Sequence, residues 1–166
     1  MLGPREDFLT WDEVWMGQAV LMSKRSKDPN TQVGACIVDN ENIPISIGYN
    51  GFPRNIPNDK FPWDREGSPL STKYMYMCHA EQNAIDNSDC TRERMTRSKI
   101  YVTLFPCNEC AKRIIQSGIR EVVYLSDKYR DHDNQRASRQ MLSLAGVNIR
   151  QLVINKDITI ELKNDE

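Results

Sequence analysis

Two short stretches hold the residues able to do chemistry. Met77-Cys78-His79-Ala80-Glu81 sets a thiol, an imidazole and a carboxylate close together, and Pro106-Cys107-Asn108-Glu109-Cys110 adds a Cys-x-x-Cys pair. A lone Cys-x-x-Cys fits a redox pair, half of a structural zinc site, or chance. No further His/Cys pair at helical spacing completes a four-ligand structural site, since His132 is the only other histidine. Three ligands and an open fourth position remain, which is the coordination of a catalytic zinc. Cys107 and Cys110, three apart at the start of a helix, share a face. The exposed N–H groups and positive end of that helix stabilise the thiolates zinc requires. Pro106 suits a strand-to-helix turn, where a missing N–H costs nothing.

The other stretch poses a choice between Cys78 and His79. His79 and Glu81 are two residues apart, about 200° around an ideal helix. They reach one site only if His79 sits at the helix end, where the backbone is not yet helical. Glu81 then lies near the metal without binding it, a placement suited to proton transfer. The spacing His-x-Glu…Pro-Cys-x-x-Cys is the pattern of zinc nucleobase deaminases. It selects His79 as the ligand and leaves Cys78 pointing into the core.

These groups need elements to position them. Trp11, Val14, Trp15, Ala19 and Met22 recur at helical spacing and predict an amphipathic helix from Trp11 to Lys24, stopped before Pro29. Residues 33–39 and 43–49 read as two strands of a hairpin around Asn40-Glu41-Asn42. Residues 50–76, with four prolines and two glycines, form a long irregular segment of the kind that carries function. A helix opens near His79 and runs to about Asn87, and a polar linker, 88–97, leads to a strand over 99–104. A helix over 107–117, a strand over 121–125, a helix over 133–144 and a strand over 147–154 follow. That alternation implies right-handed crossovers and parallel neighbours, and with the hairpin it makes a mixed five-stranded α/β sheet. One domain, 1–166 with a core of about 11–154, is expected.

Composition narrows the function class. At 39% hydrophobic and 27% charged residues, the chain has the balance of a folded globular protein. A net charge of −1 argues against a polynucleotide partner, which needs a basic excess, though not against a nucleotide. Five cysteines with one close pair do not form a secreted disulfide framework. No signal peptide and no run of about 20 apolar residues is present, so a cytoplasmic protein without a membrane partner is expected. Cys36 reads as a small core hydrophobe and Cys90 as an ordinary loop thiol.

Beyond the motif, the segments RSKDPNTQVGACIV, GYNGFP, TKYMYMCHAEQNAI, YVTLFPCNECAKRIIQSGIREVVYLSDKY and AGVNIR resemble the deoxycytidylate (dCMP) deaminase family. They cover nearly all of residues 25–150. The HAE and PCxxC elements are shared with tRNA adenosine deaminases and other relatives, whereas SKDPNTQVGA, GYNGFP and SDKY point to dCMP. The resemblance implies a three-layer α/β/α cytidine-deaminase-like fold, a homo-oligomer, commonly a hexamer, and hydrolysis of dCMP to dUMP and ammonia for thymidylate synthesis. It also implies activation by dCTP and inhibition by dTTP, with Mg²⁺ accompanying the triphosphates.

In that reading His79, Cys107 and Cys110 hold Zn²⁺. Glu81 takes a proton from water, delivers it to N3 of cytosine, and passes another to the departing amine. Asn50 resembles the family's substrate-side asparagine, although Asn-Gly is also a turn signal. The Ala80 N–H, at a helix start, can donate to the pyrimidine carbonyl. Arg25, or Lys27, can meet the substrate phosphate, serve an effector triphosphate, or only complement a helix end. Asn30 shares their loop. Tyr129 and Arg130 lie past a strand's C-terminal end, where α/β folds bind ligands. His132 reads as a helix-start or surface histidine. Lys27, Asp28, Gly48, Asn50 and Gly51 form the expected effector segment, where glycines let backbone approach phosphates. The rivals are a deaminase of free nucleosides or of tRNA adenosine, and a non-catalytic nucleotide-binding or zinc-stabilised protein.

Overall fold

A computed structural model describes residues 2–155 and 157–161. Helix α1 spans Trp11–Ser23. It opens on a capping box: Thr10 Oγ1 accepts from Glu13 N (3.3 Å) while Glu13 Oε2 accepts from Thr10 N (2.7 Å). Strands β1 (Gly34–Asp39) and β2 (Pro44–Tyr49) form the expected antiparallel hairpin. Helices α2 (Ala80–Asp86) and α3 (Arg92–Met95) follow. Then β3 (Ser98–Leu104), α4 (Asn108–Ser117), β4 (Glu121–Ser126), α5 (Asp133–Leu144) and β5 (Asn148–Gln151) alternate.

The strands form one mixed sheet in the order β2-β1-β3-β4-β5. β1 is antiparallel to both neighbours, and β3, β4 and β5 run parallel. Side chains alternate across the pleat and so divide the core in two. Ala35, Ile37, Ile100, Val102, Val122 and Tyr124 pack with Ala84, Ala111, Ile114 and Leu142 of α2, α4 and α5. Cys36, Val38, Tyr101 and Val123 face the other way and pack with Met16 and Ala19 of α1. The result is helix, sheet and helices in three layers.

Local departures from the sequence expectation have physical causes. The buried stripe of α1 is Met16, Ala19 and Ser23, while Trp11 is 56% exposed and stacks on Trp15. β1 crosses α1 at Gly34, where a Cβ would stand 1.9 Å from Ala19 O and 2.5 Å from Ser23 N, so small residues face the strand there. The linker 88–97 contains α3, capped by Thr91 and anchored by buried Met95, too short to show periodicity. β5 is shorter than the predicted 147–154. After Leu152 N donates to Tyr124 O (2.8 Å), Leu152 and Ile154 pack on the α1 side without further ladder bonds among the described residues. Segment 50–76 holds two 3-10 turns, Pro69–Ser71 and Lys73–Met75. Phe61 stacks on Tyr76 at 4.0 Å and Phe52 meets Trp63 at 4.3 Å, which compacts it without regular structure. No helix of the described residues is long and apolar enough to cross a membrane.

Candidate active site

His79 is the N-cap of α2, with extended backbone (φ −80°, ψ 160°). The residue before it is pinned: Cys78 N donates to Gly51 O (2.9 Å) and Gly51 N to Cys78 O (3.0 Å). Cys107 is likewise the extended N-cap of α4, and Cys110 sits on that helix's first turn. Two helix starts on the same side of the sheet therefore bring the three candidate ligands together. His79 Nδ1 lies 3.4 Å from Cys107 Sγ and 3.4 Å from Cys110 Sγ. The three donor atoms lie within 4.8 Å of one another. Tetrahedral zinc with ordinary Zn–N and Zn–S bonds needs an N···S separation of about 3.6 Å, so spacing and donor chemistry both fit that ion.

The electrostatics fit as well. The hydrogen bond from Cys110, opposed by burial and helped by His79, holds the Cys107 thiol down at about 4. Its hydrogen bond to Cys107, with burial, pushes Cys110 well up. His79 is drawn up to about 9 by the Cys107 sulfur. Cys107 shifted down and His79 shifted up are the directions of an ion pair, and a dication displaces protons from such a cluster.

Glu81, at the second position of α2, is 3% exposed. Burial pushes its carboxyl up to about 6, against the pull of His79. Glu81, His79 and Cys107 line a cavity of about 360 Å³, within the range of small-ligand sites. The wall beyond them is built by a buried polar chain. Lys73 Nζ lies 2.5 Å from Asp28 Oδ2, and both side chains are almost wholly withdrawn from solvent. Asp28 Oδ1 accepts from Asn30 N (2.8 Å) and Thr31 N (3.3 Å). Asn50 is buried beside them: its Oδ1 accepts from Val33 N (2.8 Å), and its Nδ2 donates to Thr31 O (2.9 Å).

Of the residues singled out from sequence, Asn50, Ala80, Tyr129 and Asp28 line this cavity with His79, Cys107 and Glu81, while Cys110 lies behind the lining. The Asn50-Gly51 pair makes no positive-φ turn; it runs extended into the bridge with Cys78. Arg25, Lys27 and Arg130 are exposed and lie off the lining, as does Asn30, whose Nδ2 points to Trp63 O at 3.4 Å. Gly48 is packed against α2: a Cβ there would stand 2.2 Å from Ala80 O and 2.4 Å from Ala84 N. Gly51 also lies off the lining. Cys78 is half-buried and, contrary to expectation, not among the buried core residues; burial first, then Asp86, raises its thiol. Cys36 is fully buried, and its thiol is pushed up to about 12 by burial. His132 caps α5, as expected, and also reaches the cavity rim. Sequence reasoning missed Lys73, Arg65 and Gln135, all on the lining. Gln135 is 3% exposed; its Nε2 donates to Phe105 O (3.0 Å), and its Oε1 has no partner among the described residues.

The chain is similar to known proteins. Residues 9–126 match the model of the cytidine and deoxycytidylate deaminase zinc-binding region. A probable deoxycytidylate deaminase of Drosophila melanogaster is 52% identical over 164 residues, 95% of this chain and 80% of that one. The human deoxycytidylate deaminase is 51% identical over 150 residues, 90% of this chain and 83% of that one. The dCMP deaminase of cyanophage S-TIM5 superposes in its apo form with a TM-score of 0.65 at 25% identity, covering 85% of this chain and 96% of that one. Its complex with dCMP and dUMP superposes at 0.61 and 29% identity, covering 84% and 95%. The chain belongs to the cytidine and deoxycytidylate deaminase family.

Proposed function

We propose that the protein hydrolyses dCMP to dUMP and ammonia at the cavity built on His79, Cys107, Cys110 and Glu81. The observation that carries this reading is a buried carboxylate, Glu81, lining a cavity of about 360 Å³ together with His79 and Cys107 of a three-donor group that could hold a metal. His79, Cys107 and Cys110 would hold Zn²⁺, whose contribution when bound is Lewis acidity that lowers the pKa of water beside it. Glu81 takes a proton from the attacking water and places it on N3 of the ring, which makes C4 electrophilic. The water oxygen bonds to C4, Glu81 takes the proton still on that oxygen and passes it to the amine, and the C4–N4 bond breaks as the C4 carbonyl forms and ammonia leaves. The Ala80 N–H, in the first turn of α2, would hold the ring carbonyl and Asn50 the sugar, a reading supported by the presence of both residues on the lining.

Similarity to deoxycytidylate deaminases extends the proposal to supply of dUMP for thymidylate synthesis. It extends likewise to activation by dCTP with Mg²⁺, inhibition by dTTP, and assembly as a homohexamer of one-domain subunits. Lys27, Asp28, Gly48, Asn50 and Gly51 would carry the effector response, since Asp28 and Asn50 join that segment to the cavity wall. Five unpaired cysteines accord with work in the cytoplasm. The test is ammonia release from dCMP, deoxycytidine and tRNA, with and without a zinc chelator. Fastest release from dCMP, abolished by the chelator and restored by zinc, is expected. Faster turnover of another substrate, or indifference to the chelator, overturns the reading.

A further inference from the structure

A nucleoside 5′-monophosphate brings a dianion to the cavity, and the cations named from sequence do not line it. Two lysine or arginine side chains do so among the described residues, Arg65 and Lys73. The charge of Lys73 is cancelled by Asp28, 2.5 Å away in a site closed to water. Arg65 differs on each count. It is exposed at the mouth of the cavity, and no carboxylate lies within ion-pair distance of it among the described residues. Its Nε donates to the hydroxyl of Tyr74, 3.2 Å away, which orients the guanidinium without neutralising it. Tyr129, also on the lining and just past the C-terminal end of β4, stands close enough to Arg65 for the two side chains to interact. A planar fork of donors facing a phenol hydroxyl is a geometry that takes a phosphate oxygen from two sides.

We propose that Arg65 receives the 5′-phosphate of the substrate and so sets the preference for nucleotide over nucleoside, with the Tyr129 hydroxyl as second donor. This rests on the reading of the protein as a dCMP deaminase. The phosphate does not react, so its contact with Arg65 is made equally in ground and transition states, and its loss raises KM and spares kcat.

The test compares kcat/KM for dCMP and deoxycytidine in the wild type, Arg65→Gln, Arg65→Lys and Lys73→Met. The same ratio can be read from competitive inhibition by dUMP and deoxyuridine should nucleoside turnover be slow. Arg65→Gln is expected to lower the dCMP-over-deoxycytidine ratio about 10-fold or more through KM, the loss of a charge-assisted hydrogen bond. Arg65→Lys should restore part of it, because the charge remains and the fork does not. Lys73→Met should affect both substrates alike. An unchanged ratio in Arg65→Gln, whether neither substrate suffers or both suffer equally, overturns the assignment while leaving the dCMP reading intact. A wild type that prefers deoxycytidine to dCMP overturns the functional reading itself.

Discussion

Lys73 and Asp28 form an ion pair with Nζ 2.5 Å from Oδ2, and the two side chains are only 4% and 1% exposed. The pair ties the turn before the metal-site histidine to the loop after α1, and so holds two walls of the cavity together. Taking one buried charge away leaves the other uncompensated. Lys73→Met is therefore expected to lower stability by about 3–5 kcal/mol, and Lys73→Met with Asp28→Asn to recover most of that loss. Urea unfolding of the two variants checks this. A single variant as stable as the double would mean that the pair does not organise the wall.

Gly48 is the point where β2 touches α2, the helix whose first turn presents His79 and Glu81. A Cβ at 2.2 Å from Ala80 O meets backbone, not a side chain that can swing away. Gly48→Ala should destabilise the protein by about 1–3 kcal/mol and weaken zinc retention, because α2 must shift. Gly17→Ala, in α1 with open space around it, should instead stabilise by up to about 1 kcal/mol. Melting temperature and zinc content of both variants test the contrast. Equal effects from the two would contradict it.

Asp12 joins three elements: it accepts from Arg150 Nη1 (2.7 Å) and Nη2 (3.1 Å) and from Tyr101 Oη (2.7 Å). Burial raises its carboxyl, but the hydrogen bonds from Arg150 and Tyr101 outweigh that and hold it below the ordinary 3.8. In the unfolded chain the group titrates at its ordinary value. Its stabilisation is thus complete above about pH 4 and fades as pH falls through the lower folded value. Asp12→Asn should be less stable than wild type by about 1–2 kcal/mol at pH 7, with the gap closing at more acid pH. Urea midpoints of both proteins from pH 7 to pH 3 measure it, and a gap independent of pH would refute the assignment.

The parts of the fold and site that could be read in advance are those governed by short-range pattern. The strand–helix alternation after residue 99 has clean periods and short connections, and the parallel run of β3, β4 and β5 follows from it. The two-residue offset between His79 and Glu81 required His79 to leave the helix, and it caps α2 in extended conformation. Long-range relationships carried no such mark. Nothing local tells that Lys73 is buried, because its partner lies 45 residues away. Arg65 stands in an irregular charged segment with no period to place it. The stripe of α1 follows its apolar spacing at Ala19 and Trp15 but not at Trp11, because the close approach of Gly34 sets Ala19 and Ser23 against β1.

The central claim is that Glu81 moves protons beside a metal it does not bind. Zinc content and ammonia release from dCMP, measured together on Glu81→Gln, test it most directly. Wild-type zinc content with turnover lowered by about 10²- to 10⁴-fold or more is expected. Near-normal turnover with zinc in place would contradict it, as would loss of the zinc, which would make Glu81 a ligand.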